Sequence, residues 1–164
     1  MAKTINVELT TESINSAIKE VQEYKAWVLR KESELRTKLA ERGAEVARIT
    51  FTGAKYDGDN DVTVRVDSTG SVAVIYAEGS AVAFIEFGSG AKYGYGHPYA
   101  GEHGVGPGTY SDGPEGKGHW KNPDGWYYEH GKKSHGNPPA MAMFNAVQTM
   151  LGELTTIARE VFRT

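Results

Sequence analysis

Residues 83–99, AFIEFGSGAKYGYGHPY, mark the point at which the regular patterns of the chain stop. An apolar run ends at Glu86, and a segment rich in glycine and tyrosine follows it. All five histidines, all six prolines and 14 of the 20 glycines lie between Gly88 and Pro139. Helix and strand periodicities are found on both sides of this region. The stretch therefore separates a regularly folded part from a long loop, which we place at residues 88–136.

A long N-terminal helix is predicted before this stretch, over residues 11–42. Thr11 is suited to the N-cap position and Gly43 to the stop. A 4-3-4 spacing places a series of apolar residues on one stripe of the helix: Ile14, Ile18, Val21, Val28, Leu35 and Leu39. Such a helix spans roughly 45 Å. Because this length exceeds what a small domain needs, we expect part of the helix to pack outside its own core.

Strand patterns follow the helix. Residues 46–51 alternate, DVTVRVD (61–67) has period two in β-branched residues, and SVAVIYA (71–77) continues the pattern. They predict an antiparallel sheet of three to four strands, the fourth coming from later in the chain. Residues 80–87 fit either a strand or a short helical turn, because periodicity does not decide so short a run.

A second helix is predicted over residues 140–162, with Asn137 as N-cap and Pro138 and Pro139 at its start. Its apolar stripe comprises Met143, Val147, Met150, Leu154, Ile157 and Val161. We expect this helix to pack on one face of the sheet. The prediction is thus a single α+β domain over residues 1–164, with an extended loop at 88–136.

Composition and charge exclude several classes of function. The chain has 164 residues, of which 39% are apolar and 24% charged, and its net charge is −3. The charge does not favour electrostatic binding to DNA. The lack of cysteine excludes disulfides and thiolate metal sites. The N-terminus has no secretory signal pattern and no apolar run is long enough for a bilayer. We expect a protein that is made in a cytoplasm and is soluble there. A component of a virus particle that assembles in a cytoplasm fits this expectation equally well.

Two interpretations of the loop, as a phosphate-binding loop or as a zinc site, are only weakly supported by sequence motifs. GSGAKYGYG resembles a phosphate-binding loop in its glycines, but Lys92 is followed by Tyr93 rather than Ser or Thr. Histidines and acids suitable for zinc are present: His97, His103, His119, His130, His135, Glu102, Asp112 and Glu129. None has the zincin spacing in a helical context, and Ser89 lacks a nucleophile-elbow pattern. A zinc-dependent hydrolase that uses His119 or His130 remains one alternative.

Recognition is the third interpretation of the loop. Aromatic side chains on glycine-rich loops provide contact area at low entropic cost. We expect subunit or partner contacts from Tyr93, Tyr95, Tyr110, Trp120, Trp126, Tyr127 and Tyr128. Part of the segment around residues 122–132 is expected to form a hairpin. A carbohydrate- or peptide-binding module built on Trp120 and Trp126 is a second alternative, and a simple cover for the open face of the sheet is another.

Two motifs carry a resemblance to a known family. Residues 83–90, AFIEFGSG, resemble the E-[FY]-G-T-G signature of tailed-bacteriophage neck proteins. These are head–tail joining or tail-completion proteins, also described as minor capsid proteins. Residues 136–144, GNPPAMAMF, resemble the glycine–proline element that precedes the C-terminal helix of that family. Ser89 replaces the usual Thr, Ala142 stands where a second proline is more common, and the insertion between the motifs is longer than expected.

The resemblance implies a structural protein without enzymatic activity or cofactor. It implies a homo-oligomeric ring, usually a hexamer, at the head–tail junction of the virion. The partners would be portal, adaptor or head-closure proteins and tail proteins, with DNA passing through without specific binding and no contact with a membrane. In this interpretation Glu86, Phe87, Gly88 and Gly90 form a hinge at the loop base. Glu86 is expected to make a fixed hydrogen bond or ion pair there.

Overall fold

The computed structural model describes residues 4–56, 58, 60–107, 126–127 and 133–163. Its helices are α1 (Thr11–Gly53), α2 (Val82–Phe87), α3 (Gly90–Tyr93), α4 (Ala100–His103) and α5 (Ala142–Arg163). Its strands are β1 (Thr63–Asp67), β2 (Val74–Glu78), β3 (Trp126–Tyr127) and β4 (Lys133–Ser134). Among these residues, no helix has the length and hydrophobicity that a bilayer span requires.

Helix α1 confirms the predicted long N-terminal helix but has different ends. Thr10 rather than Thr11 is the N-cap, and its hydroxyl accepts a hydrogen bond from Ser13 N at 3.2 Å. The helix continues through Gly43 to Gly53, a length of about 64 Å. Gly43 does not end the helix. It lies within α1, where the absence of a side chain allows two residues of other elements to pack closely. A Cβ there would lie 2.6 Å from Met150 Sδ and 2.8 Å from Ile75 Cδ1.

The strand predicted at residues 46–51 is wrong, since this segment is the last part of α1. The buried residues of α1 include Ala40, Ala44, Ala47 and Phe51, which recur every three or four positions. This spacing places them on one helix face, and their small size lets another helix approach closely. Tertiary packing therefore overrides the local alternation of β-branched residues.

The main sheet contains two antiparallel strands in the described part of the chain, β1 and β2, rather than three to four. Arg65 pairs with Tyr76 at its centre. Val64 and Ala77 are half-buried against the core, while alternate residues of both strands face solvent. Strands β3 and β4 form a second short antiparallel pair, in which Trp126 pairs with Ser134 and Tyr127 with Lys133.

Helix α5 packs against α1 rather than on a face of the sheet. The two helices run antiparallel, since Gly43 meets Met150 while Trp27 meets Phe162. A bidentate ion pair joins them: Arg42 Nε and Nη2 each lie 2.9 Å from a Glu153 carboxylate oxygen. The carboxylate raises the pKa of Arg42, and the guanidinium lowers the pKa of Glu153. This pair links the two helices at their solvent-accessible edge.

The core lies where the C-terminal half of α1, α2 and the start of α5 meet. Phe51 and Ile85 are its largest fully buried apolar side chains in the described part, and Val161, near the C-terminal end of α5, is fully buried outside this cluster. Burial of each contributes about 1.5–3 kcal/mol. Most other buried apolar residues are alanines, so the core is small for the length of the helices that surround it.

Candidate functional site: a buried carboxylate cap and two exposed apolar surfaces

The carboxylate of Glu86 lies at the start of α5 and is only 4% exposed. Its Oε2 accepts a hydrogen bond from Met143 N at 2.8 Å, and its Oε1 accepts one from Phe144 N at 3.0 Å. His97 Nε2 lies 3.3 Å from the same Oε1. We call these four residues the Glu86 cap. They join three segments of the chain that are distant in sequence.

Helix α5 needs this cap because its own sequence supplies none. Asn137, the predicted N-cap, lies five positions before the first helical residue. Met141 directly precedes the helix and has a left-handed φ of 57°. Because its side chain is a thioether, Met141 offers no oxygen to the free N–H groups of the first turn. Glu86 therefore provides both the hydrogen-bond acceptor and the negative charge that a helix N-terminus favours.

The protonation of His97 follows from its two contacts. Tyr99 N donates to His97 Nδ1 at 3.1 Å, so Nδ1 acts as an acceptor and carries no hydrogen. The hydrogen then lies on Nε2 and points to Glu86, which assigns a neutral imidazole. The ring is 5% exposed and packs near Phe87 and Phe144, at centroid distances of 4.6 and 5.7 Å. His97 is thus a buried structural donor.

A second contact closes the base of the long loop. Asn137 N donates to Ser89 Oγ at 3.0 Å, and Ser89 N donates to Asn137 O at 2.8 Å. Gly136 has a φ of 95°, and an added Cβ would overlap the carbonyl oxygen of Ser89. Gly88 has a φ of 76°, and an added Cβ there would lie 2.8 Å from Asn137 O and 2.9 Å from Pro139 Cδ. We call Ser89, Gly136 and Asn137 the loop base.

The first part of the loop folds back on this base. Gly106 N donates to Gly94 O at 2.6 Å, and a Cβ on Gly106 would overlap the carbonyl of Gly88. Helices α3 and α4 lie within residues 90–106. This segment therefore contains more secondary structure than the sequence predicted. The projecting loop that we expected directly after Gly88 is therefore wrong for these residues.

A second acidic residue caps the turn that leads into α2. Asp61 accepts hydrogen bonds from Ser80 N at 2.6 Å and from Ala81 N at 3.0 Å. These bonds, with that from Ala81 the larger cause, lower the pKa of Asp61 to about 2. Unlike Glu86, Asp61 is exposed. Both carboxylates hold the two ends of the segment that carries AFIEFGSG.

The N-terminal part of α1 extends past α5. Phe162, in the last turn of α5, reaches Trp27 with a ring-centroid distance of 5.8 Å. Residues 11–26, which we call the α1 overhang, continue for about 24 Å beyond this contact. Ile14, Ile18, Val21 and Tyr24 on it are 42% to 54% exposed. Within the described chain their nearest cover is the segment with Ile5 and Val7, which leaves an apolar hollow of about 370 Å³.

A second apolar surface lies between α1, α5 and the start of β2. It is a groove of about 640 Å³, which we call the α5 groove, and its lining includes Leu39, Ala40, Val72, Val74, Met143, Val147 and Met150. Leu151 and Leu154 continue its apolar side along α5 and are 63% and 40% exposed. Arg36 is a charged residue of the lining, and it is paired with Glu32. The groove therefore offers almost no polar chemistry to a small ligand.

The structure brings together some of the predicted site residues. Glu86 and Phe87 end α2, Gly88 follows them, and Gly90 begins α3, so all four lie beside the loop base. Tyr95 is 65% exposed, whereas Tyr93 is half-buried with Lys92 Nζ 5.0 Å from its ring centroid. Only the backbones of Trp126 and Tyr127 are described, in β3. Tyr110, Trp120 and Tyr128 lie outside the described residues.

Sequence reasoning missed the partners of Glu86 and the two apolar surfaces. No local pattern indicates that His97 and the start of α5 meet Glu86. The apolar surfaces had a signal, because Ile14, Ile18 and Val21 belong to the predicted stripe of α1. The 4-3 spacing of Val147, Leu151 and Leu154 on α5 is also visible in the sequence. Their exposure is not, because it depends on which face of α5 is covered by α1.

The described histidines give limited support to a metal site. Both ring nitrogens of His97 are occupied by hydrogen bonds, so it is not available as a ligand. His103 packs edge-on against Tyr99, and His135 Nδ1 is buried without a hydrogen-bond partner. Among the described residues no three His, Asp or Glu side chains converge on one point. His119, His130, Asp112 and Glu129 lie outside the described residues.

Comparison with known proteins gives no relative. The chain matches no protein-family model, no curated protein and no solved structure.

Proposed function

We propose that this chain is a structural virion protein, a ring-forming subunit at the head–tail junction of a tailed bacteriophage. In this role it connects the capsid portal complex to the tail as a neck or tail-completion protein. The proposal rests on the resemblance of residues 83–90 and 136–144 to that family, and on the surface of the folded chain. It assigns no enzymatic activity and no cofactor.

The observation that carries the proposal is the balance of apolar surface. Sixteen large hydrophobic side chains are at least 37% exposed in the described part, against three that are fully buried. Apolar surface of this extent is typical of subunits that bury it against a partner. Assembly into a permanent oligomer is the simplest way to bury so many exposed apolar residues.

The Glu86 cap and the loop base support a structural role for the two motifs. The first motif supplies Glu86 and Ser89, and the second supplies Asn137, Met143 and Phe144. Every one of these groups holds another part of the backbone. A catalytic carboxylate needs access to substrate, and Glu86 is buried with both oxygens in use. The residues behind the resemblance are thus suited to fixing a long insertion on a rigid base.

The partners follow from the assigned position. We propose a homo-oligomeric ring, of six subunits by the resemblance, which contacts portal, adaptor or head-closure proteins on one side and tail proteins on the other. DNA passes through the ring without specific binding, and the net charge of −3 per chain supports this because it gives no strong attraction to phosphate. The proposed location is the virion, after synthesis in the host bacterial cytoplasm.

The test is deletion of the coding sequence from a phage that carries it, followed by electron microscopy of the lysate. We expect heads and tails that are not joined, and normal particles when the wild-type chain is supplied from a plasmid. Purified wild-type particles should contain the chain. Normal joined particles from the deletion, or particles that lack the chain, would contradict the proposed function.

A further inference from the structure

The apolar stripe of the α1 overhang has a partial cover within its own chain. Residues 4–9, which we call the N-terminal strap, precede the helix and form neither helix nor strand. Ile5 and Val7 of the strap border the apolar hollow of about 370 Å³. On the helix side the hollow is bordered by Ile14, Ala17, Ile18, Val21 and Gln22. The strap therefore turns back at the helix start and lies over the stripe.

The length of the strap matches that of the stripe. An extended chain rises about 3.3 Å per residue, so Val7 lies about 10 Å and Ile5 about 16 Å from Thr10, the N-cap. Because a helix rises about 1.5 Å per residue, these distances correspond to about seven and eleven helical positions. Val7 is thus placed beside Ala17, and Ile5 beside Val21. Both pairs border the same hollow.

The strap is loosely held on the helix. Glu8 N donates to Ser13 Oγ at 2.9 Å, and this hydrogen bond is exposed. Val7 is 53% exposed and Leu9 100%, so the strap buries little apolar surface. Exposed hydrogen bonds and few buried apolar contacts are features of segments that open locally at low free energy. Opening leaves α1 intact, because the N-cap bond of Thr10 is made within the helix start itself.

We infer that the N-terminal strap is an autoinhibitory cover, which shields the stripe of the α1 overhang in the free subunit and leaves it when the stripe contacts a partner. The shielding is a property of the single chain. Its consequence for assembly rests on the proposed ring-forming function. Closing brings Ile5 and Val7 further into the hollow, and opening exposes Ile14, Ile18 and Val21. A free subunit is thereby protected from non-specific association through this stripe.

A reversible lock on the full-length chain tests the inference, because the natural sequence contains no cysteine. Val7→Cys and Ala17→Cys are combined in one chain, which places two thiols at the same hollow. We expect an intramolecular disulfide under mild oxidation, detected by mass spectrometry of the single chain. Val7→Cys with Asn15→Cys is the matched control. Asn15 lies two positions from Ala17, about 200° around the helix, so this pair should stay reduced.

Two measurements then compare the oxidised and reduced forms of the Val7→Cys/Ala17→Cys chain. The first is the fluorescence of an anilinonaphthalene sulfonate dye, which binds exposed apolar surface. We expect a loss of dye fluorescence in the oxidised form that reduction restores. The second is assembly, measured by light scattering after gel filtration. We expect assembly to be lost in the oxidised form and recovered when the disulfide is reduced.

The opposite results overturn the inference. If the disulfide does not form, or forms equally well in the Asn15→Cys control, the strap does not lie over the stripe. Unchanged dye fluorescence in the locked chain would exclude shielding, and full assembly of the locked chain would exclude inhibition. If dye fluorescence is lost but the wild-type chain assembles at no concentration, the shielding is confirmed and the ring-forming function fails. The two failures are therefore distinguished.

Discussion

The Glu86 cap and the α1 overhang are opposite kinds of region in one small protein. In the cap, a buried carboxylate and a buried histidine are fully paired with backbone groups and aromatic rings. In the overhang, apolar side chains at helical spacing are half exposed to solvent. The first region contributes to the stability of the single chain. The second contributes less to it, and under the proposed function its apolar residues serve contacts between chains.

Removal of the Glu86 carboxylate should have the largest effect on stability. Glu86→Ala leaves the N–H groups of Met143 and Phe144 and the His97 donor buried without an acceptor. A buried donor left without its acceptor costs about 1–3 kcal/mol, so the loss of three such hydrogen bonds costs at least about 3 kcal/mol. We expect a decrease of that size in the free energy of unfolding, measured by urea denaturation with circular dichroism.

Two variants sharpen this first prediction. Glu86→Gln retains one acceptor oxygen and should be destabilised less than Glu86→Ala. Glu102→Ala, at an exposed glutamate in α4, should change the free energy of unfolding by less than about 0.5 kcal/mol. Equal stability of Glu86→Ala and Glu102→Ala would show that the cap does not hold α5.

A substitution at the loop base should have the next largest effect. Gly136→Ala places a Cβ against the carbonyl oxygen of Ser89 at a left-handed φ. We expect a loss of at least about 2 kcal/mol, from backbone strain and displacement of the loop. Gly152→Ala, in an open part of α5, is the matched control and should stabilise the chain by about 0.5–1 kcal/mol. Destabilisation by both, or by neither, would contradict the account of the loop base.

The exposed cap at Asp61 should give a smaller effect that depends on pH. The pKa of this carboxyl is lowered in the folded chain, from 3.8 to about 2, by the Ala81 and Ser80 backbone. The stabilisation is therefore present above pH 4 and is lost as the pH falls towards 2. We expect Asp61→Asn to be less stable than wild type at pH 7, with a difference that shrinks across this window in denaturation curves. A constant difference from pH 7 to pH 2 would show that the carboxylate charge is not responsible.

Substitution in the overhang should have the smallest effect on the stability of the single chain. Ile18→Gln changes a half-exposed side chain, so we expect less than about 0.5 kcal/mol in urea denaturation of the monomer. The same change should abolish assembly, measured by light scattering after gel filtration. Ile49→Gln, at a residue of α1 that is 66% exposed against 50% for Ile18 and lies outside both surfaces, should assemble as wild type does. A large loss of stability in Ile18→Gln would show that the overhang packs within its own chain.

The sequence predicted the elements whose pattern is local. The long N-terminal helix, the two strands of the main sheet and the C-terminal helix follow from periodicity and were placed nearly correctly. Residues 43–53 of α1 were not, because residues 46–51 satisfy strand alternation and helix spacing together. Only the approach of α5 to Gly43 and Ala47 decides between them. That approach is a tertiary contact and leaves no local signal.

The candidate site was predictable to the same limited extent. Glu86 was expected to hold the loop base, whereas its hydrogen-bond partners are His97 and the start of α5, which lie 11, 57 and 58 residues away. Asn137 has the residue type of an N-cap, yet it serves the loop base because the chain turns at Met141 before α5 begins. Helical stripes predict which residues are apolar. They do not predict which part of a stripe is covered by its own chain.

Native mass spectrometry of the purified wild-type chain over a range of concentrations tests the central claim most directly. The account predicts a discrete closed oligomer, a hexamer by the resemblance, at the mass of six metal-free chains, and its loss in Ile18→Gln. A chain that remains monomeric with one bound zinc at every concentration would contradict it and favour a metalloenzyme. An oligomer that persists in Ile18→Gln would assign assembly to another surface.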